Sequence, residues 1–330
     1  MTASDHTRTG RTGGASTEPF WHPALFYRGE SQYLAGTVPF VREGVRAGEP
    51  VAVAVPASRL ELLRTALDRE LGADLEQVRL LDMARAGRNP GRIIPGVLRA
   101  FADRHPRRRV RIIGEPIWPG RSGSEYPACA QHEALINNAF TGRMVSILCP
   151  YDADGLPEQV LADAARTHPV LIDTDAGGGT GEGGRPSDRY APDAVVDTYN
   201  LPLPEPDRAS VVTFDRDTLG RPRSLAVQHA TTAGLPQDRV LDLELAVTEL
   251  ITNSIVHGGG TGTLRLWNDE GFIVCDVRDR GHITDPLAGR RPVDPATPGG
   301  RGLLLINHLA DLVRVHTTPD GTTIRIYFVL

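Results

Sequence analysis

The hydrophobic pattern alternates between two periods from about residue 23 to residue 170. Short apolar runs such as PVAVAVP (50–56) are bounded by prolines and predict buried strands. Segments such as SRLELLRTALDREL (58–71) begin at a serine and carry apolar residues at helical spacing. Strands and helices that alternate in this way form a mostly parallel sheet covered by helices on both faces. The pattern predicts an α/β domain over residues 20–170.

The order of elements differs near the C-terminus. SVVTFD (210–215) predicts a strand, and two helical segments follow it directly. Two hairpins are predicted, one turning at NDEG and one at PDGT, with a further short helix between them. Helices on one face of a largely antiparallel sheet make a two-layer α+β sandwich, which we expect over residues 208–330.

Composition marks the remaining segments. Residues 171–207 are rich in Gly, Pro and Asp, which is typical of a linker. Residues 1–19 lack the apolar region of a secretory signal and are expected to form a disordered tail. No apolar run approaches about 18 residues, so no membrane span is predicted. Three cysteines are too few for a disulfide framework, and a cytoplasmic location is expected.

Charge and lysine content exclude several classes of protein. The formal net charge is −5, which does not favour non-specific binding to nucleic acid or to an anionic membrane. The chain contains no lysine, so all 36 basic residues other than histidine are arginines. A P-loop and a pyridoxal Schiff base both require lysine. ATP chemistry of the Walker A type is therefore excluded.

A polar stripe interrupts the apolar helix ELAVTELITNSIVHGGG (244–260). Positions four apart share one helix face, so Glu249, Asn253 and His257 lie together. A carboxylate and an amide on an inward face need partners or a function. From this helix alone, a capping or core-network role is as consistent with the pattern as a ligand site.

Three further segments favour a ligand site. DVRDRG ends a strand with Asp279 and Gly281, and DGTTIRI places two threonines at the start of another strand. PGGRGLLL places glycines directly before a helix, where backbone N–H groups favour an anion such as phosphate. Each segment is weak by itself, but their order and spacing together are specific.

Residues 208–330 resemble the Bergerat-fold ATPases of gyrase, histidine kinases and Hsp90-type chaperones, through ELITNSIVHG, DVRDRG and GGRGLLLI. Within that superfamily they look most like the anti-sigma-factor serine kinases. The resemblance implies an ATP and Mg²⁺ site with segment 282–299 as its lid. It implies these roles: Glu249 as catalytic base, Asn253 as Mg²⁺ ligand, Asp279 at the adenine amino group, Gly281 beside the base, Gly300, Arg301 and Gly302 at the phosphates, Leu303 opening the helix, and His257 and Thr323 in the nucleotide pocket.

Two features depart from the wider superfamily. Ile283 stands where many relatives have the last glycine of the first glycine box, so the lid geometry is not fixed by the motif. There is no histidine-bearing dimerisation hairpin before this domain, and His229 in LAVQHAT lacks the acidic neighbour expected of a phospho-acceptor. An atypical histidine kinase remains the weaker alternative.

Polar residues also cluster by sequence in the N-terminal domain. Glu115, Trp118 and Arg121 follow a strand, where open α/β sheets bind ligands. His132, Glu133 and Asn137 fall on nearby helical positions. IIGEPIWPGRS, CAQHEALINNAF and LCPYD, together with FYRGESQYL, resemble the MEDS family of sensory domains over residues 20–170. The resemblance implies signal input at these six residues and a fold like a reduced RecA/KaiC-type domain.

A metal site is the alternative for part of this set. Cys129, His132 and Cys149 have compatible ligand types, but no fourth ligand is evident from the spacing. Buried structural cysteines and a hydrogen-bonded histidine are the preferred interpretation. HEALI lacks the second histidine of a zincin, so a metalloprotease is rejected.

These expectations combine into a bacterial signalling regulator. The resemblance implies a serine/threonine kinase that uses ATP and Mg²⁺ and is controlled by the N-terminal sensory domain. Expected partners are an anti-anti-sigma (STAS-like) protein and a sigma factor, with a small-molecule signal and a homodimer as further expectations. No direct nucleic-acid or membrane partner is expected. The alternative from a different class is a non-catalytic ATP-binding module that sequesters its partner.

Overall fold

A computed structural model describes residues 20–174, 184–293 and 300–330. The predicted tail (1–19), the most glycine-rich part of the predicted linker (175–183) and part of the predicted lid (294–299) lie outside the described residues. None of the described helices is both long enough and apolar enough to cross a lipid bilayer.

An eight-stranded sheet forms the N-terminal domain, with β1 beside β6 and the other strands in the order β4-β3-β5-β6-β2-β7-β8. All neighbours are parallel except β7 and β8. The strands are β1 (Phe20–Trp21), β2 (Pro23–Tyr27), β3 (Val51–Val55), β4 (Val78–Asp82), β5 (Val110–Gly114), β6 (Val145–Asp152), β7 (Val170–Asp173) and β8 (Arg185–Pro186).

Helices cover both faces of this sheet, as the continuous apolar strands predict. In β3, Ala52 and Ala54 join one apolar cluster and Val53 joins the other, because successive side chains point to opposite faces. The α-helices are α1 (Gly29–Arg46), α2 (Ala57–Leu71), α3 (Met83–Ala86), α4 (Ala100–Ala102), α5 (Tyr126–Ala139), α6 (Glu158–Thr167) and α7 (Pro192–Thr198). Short 3-10 helices span Gly72–Gln77 and Pro90–Arg92, and a π-helix spans Ile94–Arg99. The parallel α/β architecture is confirmed, and the closer likeness to RecA or KaiC stays a prediction.

Part of the predicted linker is regular structure. Helix α7 lies within residues 171–207, and its Val195 is fully buried against Ala130 and Ala134 of α5. The linker prediction therefore differs from the structure over Pro192–Thr198. One turn of apolar periodicity was too short to stand out against the surrounding Gly, Pro and Asp.

A five-stranded antiparallel sheet forms the C-terminal domain, in the order β12-β13-β11-β10-β9. Its helices share one apolar cluster with one face of that sheet, which is the predicted two-layer sandwich. The elements are β9 (Ser210–Asp215), α8 (Gly220–Thr232), α9 (Gln237–His257), β10 (Thr261–Asp269), β11 (Phe272–Asp279), α10 (Gly302–Leu309), β12 (Leu312–Thr318) and β13 (Gly321–Val329).

The two domains touch through α10 and the loop before Pro90–Arg92. The side chain of Asn89 donates a hydrogen bond to the Asn307 backbone oxygen at 2.8 Å. Arg88 forms an ion pair with Asp311, and Arg314 donates to the Ser124 carbonyl at 2.8 Å. These contacts place the helix that follows the glycine-rich segment directly against the N-terminal domain.

Candidate functional site

Helix α9 presents the predicted polar stripe beside its apolar face. Leu243, Val247 and Leu250 are buried in the core of the C-terminal domain. Glu249 and Asn253 are half-buried, and His257 is exposed at the end of the helix. The helix thus separates packing residues from polar ones as its sequence predicts.

Gly302 brings α10 close to this stripe. A Cβ atom added to Gly302 would lie 2.8 Å from Glu249 Oε2 and 3.1 Å from Asn253 Nδ2. Any larger residue would press on both side chains, so this position requires the absence of a side chain. The first turn of α10 therefore approaches the carboxylate and the amide of α9, and its N-terminal backbone faces them.

Asp279 is held in place at the end of β11. Its Oδ1 accepts from the Gly281 backbone N–H at 2.8 Å, and its Oδ2 accepts from Ser254 Oγ at 2.5 Å. Gly258 allows this approach, because a Cβ there would lie 2.4 Å from Asp279 Cγ. Two donors fix the orientation of one carboxylate, which is how a buried acceptor is pre-organised for a ligand.

These elements enclose a cavity of about 640 Å³. Its size falls in the range of about 300–1,000 Å³ usual for ligand pockets. The predicted residues that line it are Asn253, His257, Asp279, Gly281, Gly300, Gly302 and Leu303. Glu249 borders it through Gly302, and Arg301 is exposed at the start of α10.

Thr322 lines the cavity where Thr323 was expected. Thr322 Oγ1 donates to the Gly281 carbonyl at 2.8 Å and is within 2.7 Å of Thr317 Oγ1. Thr323 faces the other side of the sheet, in a groove with Arg265. The difference arises because a shift of one residue along a strand reverses the face of the side chain.

The described part of the segment predicted to be a lid (282–293) lies between the 640 Å³ cavity and the N-terminal domain. Ile283, Ala288 and Leu303 line the 640 Å³ cavity and also a second cavity of about 410 Å³, which includes Gln131 and Leu135 of α5. Leu287 is 1% exposed and packs into the apolar cluster of the N-terminal domain. The lid is thus part of the interface between the domains.

Five of the six sensory-domain candidates fall into three separate groups, and His132 belongs to none of them. Glu115 is fully buried, and it accepts hydrogen bonds from Tyr33 at 3.2 Å and Tyr27 at 3.4 Å. Burial raises the pKa of the Glu115 carboxyl to about 8, against the opposing effect of Arg59. Arg59 stacks over both tyrosine rings, at 5.3 and 5.1 Å.

Trp118 and Arg121 form the second group. The Arg121 guanidinium lies 4.1 Å from the Trp118 ring and donates to the carbonyls of Gly87 and Arg88 at 2.8 and 2.9 Å. It also forms an ion pair with Glu125 at 2.7 Å. Since its donors are used within the protein, Arg121 ties two loops together and has little left for a ligand.

Asn137 and Glu133 belong to a third group, with His22 and His168. Asn137 approaches His22 Nδ1 at 3.2 Å, and Glu133 Oε2 lies 3.5 Å from His22 Nε2 and 3.2 Å from His168 Nε2. His132 points elsewhere, and its buried Nδ1 has no hydrogen-bond partner among the described residues.

Several residues at these sites were missed by reading the sequence. At the 640 Å³ cavity the missed residues are Ser254 and Thr322. Each carries a hydroxyl group and is next in sequence to a predicted residue, Asn253 or Thr323. In the N-terminal domain they are Tyr27 and Tyr33, which lie in the quoted segment FYRGESQYL but were not named as site residues, Arg59 of α2, and His22 and His168. The two histidines share a sequence signal, because each is followed by proline and lies one or two residues before one of two paired strands.

Family models match both domains. Residues 21–169 match the family model of the MEDS domain, the methanogen/methylotroph DcmR sensory domain. Residues 212–328 match the histidine kinase-like ATPase domain. The chain therefore contains a MEDS sensory domain followed by a histidine kinase-like ATPase domain.

The C-terminal domain is similar to curated anti-sigma proteins. It is 34% identical over 98 residues to the serine-protein kinase RsbW of Halalkalibacterium halodurans, covering 26% of this chain and 60% of that protein. It is 28% identical over 100 residues to the anti-sigma F factors of Bacillus velezensis and Bacillus subtilis, covering 27% of this chain and 68% of each. The match thus spans less than two thirds of the first relative's length.

Among the solved structures that match is that of the RsbU and RsbW domains of a Mycobacterium tuberculosis protein. It is 17% identical, with a TM-score of 0.29, and the match covers 38% of this chain and 32% of that one. The family models and the curated relatives thus give a sensory-domain match followed by a histidine kinase-like ATPase match, the latter in a chain similar to a serine-protein kinase and to anti-sigma F factors.

Proposed function

We propose that this protein is an ATP-dependent serine/threonine kinase of the anti-sigma type, governed by its MEDS domain. Its expected substrate is a serine of an anti-anti-sigma (STAS-like) protein, and its other partner is a sigma factor. The observation that carries the proposal is the approach of Gly302 to both Glu249 and Asn253 at the edge of a ligand-sized cavity. Similarity to a serine-protein kinase supports the choice of reaction.

The residues present fit a nucleotide and its Mg²⁺. The Asn253 amide oxygen is a suitable hard ligand, and the Asp279 carboxylate is oriented by Ser254 and Gly281 to accept from an adenine amino group. When bound, Mg²⁺ neutralises charge on the phosphates. The N–H groups that open α10 at Gly302 favour the anionic phosphates.

Glu249 is the base of this proposal. It lies one turn before Asn253 on α9 and reaches the first turn of α10, where phosphates would lie. From there its carboxylate can accept the proton of the attacking serine hydroxyl. A base placed beside the phosphates but outside the adenine side of the cavity should affect transfer and leave binding largely unchanged.

Control by the N-terminal domain is supported by the position of the lid. Leu287 is buried in the apolar cluster of the MEDS domain while its neighbours line the nucleotide cavity. Asn307 connects both, since it accepts from Asn89 and donates to the Gly289 carbonyl at 3.1 Å. A change in the MEDS domain would therefore alter the same residues that surround the nucleotide.

The test is single-turnover phosphotransfer from labelled ATP to a candidate anti-anti-sigma protein. We expect acid-stable phosphoserine on that partner. Glu249→Gln should lower the transfer rate on the order of 100-fold or more while ATP affinity changes little. Glu244→Gln, on the same helix but on another face, is the matched control and should transfer at the wild-type rate.

Other outcomes would point to the alternative classes. Tight ATP binding without transfer would favour a non-catalytic sequestering module. Acid-labile phosphate on the protein itself would favour an atypical histidine kinase. Full transfer activity in Glu249→Gln would remove Glu249 from the role of base.

A further inference from the structure

Four metal-ligand side chains converge inside the MEDS domain, away from the nucleotide cavity. They are His22, Glu133, Cys149 and His168, and their nearest ligand atoms all lie within 4.8 Å of one another. All four side chains are buried, at 0–1% exposure. His22 directly precedes β2, and His168 lies two residues before β7, the strand paired with β2. Cys149 lies in β6, and Glu133 lies on α5.

Hydrogen bonding sets the tautomer of both histidines. His168 Nδ1 is 2.9 Å from the Ala164 carbonyl, which can only accept, so Nδ1 carries the proton. Asn137 uses its NH₂ group for the Ala134 and Thr167 carbonyls, at 3.0 and 2.8 Å. Its oxygen therefore faces His22 Nδ1, which must also be the protonated nitrogen.

Both Nε2 atoms consequently turn lone pairs toward the centre of the cluster. Glu133 Oε2 lies 3.2 Å from His168 Nε2 and 3.5 Å from His22 Nε2, and Cys149 Sγ lies 3.4 Å from His22 Nε2. Within the part of the chain that the structure describes, neither Glu133 oxygen nor His168 Nε2 has a hydrogen-bond partner. Buried lone pairs facing one another are unfavourable unless a cation lies between them.

We propose that these four residues bind a divalent transition-metal ion, with Zn²⁺ as the preferred ion. Tetrahedral ligands at about 2.0–2.3 Å from zinc are separated by about 3.3–3.8 Å, close to the observed spacings. Histidines that donate from Nδ1 to a carbonyl or amide oxygen are the usual partners of a bound metal. On binding, the Cys149 thiol releases its proton to water, so thiolate, carboxylate and Zn²⁺ sum to zero charge in the buried site.

The sequence by itself offers a different set of metal ligands and favours an interpretation without a metal. The considered ligands were Cys129, His132 and Cys149, and only Cys149 belongs to the cluster. His132 precedes Glu133 on α5, and neighbouring helical positions lie about 100° apart, so the two side chains diverge. The two His-Pro pairs supply the missing ligands, because β2 and β7 pair with Pro23 opposite Val170.

The test measures metal content and a cobalt spectrum on the full chain. Purified wild type should contain about one zinc ion per chain, and a chelator-treated sample refilled with Co²⁺ should show tetrahedral d–d bands and a thiolate charge-transfer band. Cys149→Ser should lose the charge-transfer band and at least about 90% of the zinc. Cys129→Ser, equally buried on α5, is the matched control and should retain both.

The assignment stays testable even if Cys149→Ser does not fold. The Co²⁺ charge-transfer band must then persist in both Cys129→Ser and Cys275→Ser, which leaves Cys149 as the thiolate ligand. Three results would overturn the proposal: wild type without metal that also fails to take up Co²⁺, a Co²⁺ spectrum without a thiolate band, or full zinc content in folded Cys149→Ser. The first would mean that a proton shared by the histidines and Glu133 stabilises the cluster instead.

Discussion

Asn89 donates two hydrogen bonds to Asn307, at 2.8 Å to its backbone oxygen and 3.2 Å to its side-chain oxygen. Asn89 belongs to the MEDS domain, and Asn307 lies in α10, the helix that begins at the glycines proposed to bind the phosphates. Asn307 also contacts the proposed lid, because its NH₂ group donates a hydrogen bond to the Gly289 carbonyl at 3.1 Å. This buried amide pair joins the two domains directly.

Breaking that pair should loosen the lid. Asn89→Asp keeps the oxygen that accepts from the Gly91 N–H, but it turns a donor toward Asn307 into an acceptor. Two oxygens left without a donor cost about 1–3 kcal/mol. Hydrogen exchange in 302–309 and 284–291 should therefore accelerate at least about fivefold. Gln77→Ala, at an exposed side-chain pair of the same domain, is the control. Unchanged exchange in both segments would show that this pair does not hold the lid.

The space beside Gly302 should be essential to the nucleotide site. Gly302→Ala would place its Cβ 2.8 Å from Glu249 Oε2 and 3.1 Å from Asn253 Nδ2, so both side chains must shift. We expect ATP affinity to fall about tenfold or more, measured by calorimetry. Gly220→Ala is the matched control for Gly302→Ala. Gly220 also begins a helix, but a Cβ atom there would lie in open space. Wild-type affinity in Gly302→Ala would contradict the proposed position of the phosphates.

Ser254 should act by orienting Asp279. Ser254→Ala removes the hydroxyl that donates to Asp279 Oδ2. Of the two donors to the Asp279 carboxylate described above, only the Gly281 N–H then remains. The loss of one charge-assisted hydrogen bond corresponds to about 1.5–3 kcal/mol, so affinity for ATP and ADP should fall equally, by at least about tenfold. Thr248→Ala removes a hydroxyl that bonds only within the same helix and serves as control. A loss for ATP alone would place Ser254 near the phosphates instead.

Glu115 should make stability of the MEDS domain depend on pH. Its pKa is about 8 in the folded protein, well above the ordinary carboxyl value, because the side chain is buried. Between these two values the folded state holds a proton that the unfolded state has released. Stability is therefore highest at low pH and falls by about 1.4 kcal/mol per pH unit as pH rises toward 8.

Glu115→Gln should remove this slope. In urea unfolding measured from about pH 5.5 to about pH 9.5, the free energy of unfolding of the variant should rise relative to that of the wild type at each step up to about pH 8 and level off above it. Glu61→Gln, on the exposed side of α2, should keep the wild-type profile. Parallel profiles for wild type and Glu115→Gln would show that Glu115 titrates alike in both states.

Sequence patterns predicted most of the fold, because the apolar residues of the strands and helices in each domain recur at clear intervals. The apolar strands indicated the parallel sheet, and the hairpin at NDEG turns at Glu270 and Gly271, both with positive φ as a tight two-residue turn requires. Helix α7 was missed because it is short and lies in a segment of loop-like composition.

Sequence alone could group candidate residues when all of them lie on a single helix or strand. Glu249, Asn253 and His257 follow from helical spacing alone, whereas Thr322 was missed by one residue because strand facing depends on register. The MEDS clusters join residues up to 146 positions apart, such as His22 and His168, and local periodicity carries no information about such pairings. Arg121 was misjudged because a loop arginine looks the same in sequence whether it binds a ligand or backbone carbonyls.

The central claim is that the cavity beside α9 and α10 binds Mg²⁺ with ATP. The most direct measurement is an ATP titration of the full chain with and without Mg²⁺, beside Asn253→Ala. The account predicts that Mg²⁺ strengthens ATP binding to the wild type at least about tenfold and that Asn253→Ala loses this gain. Absence of ATP binding by the wild type, or an equal Mg²⁺ effect in Asn253→Ala, would contradict it.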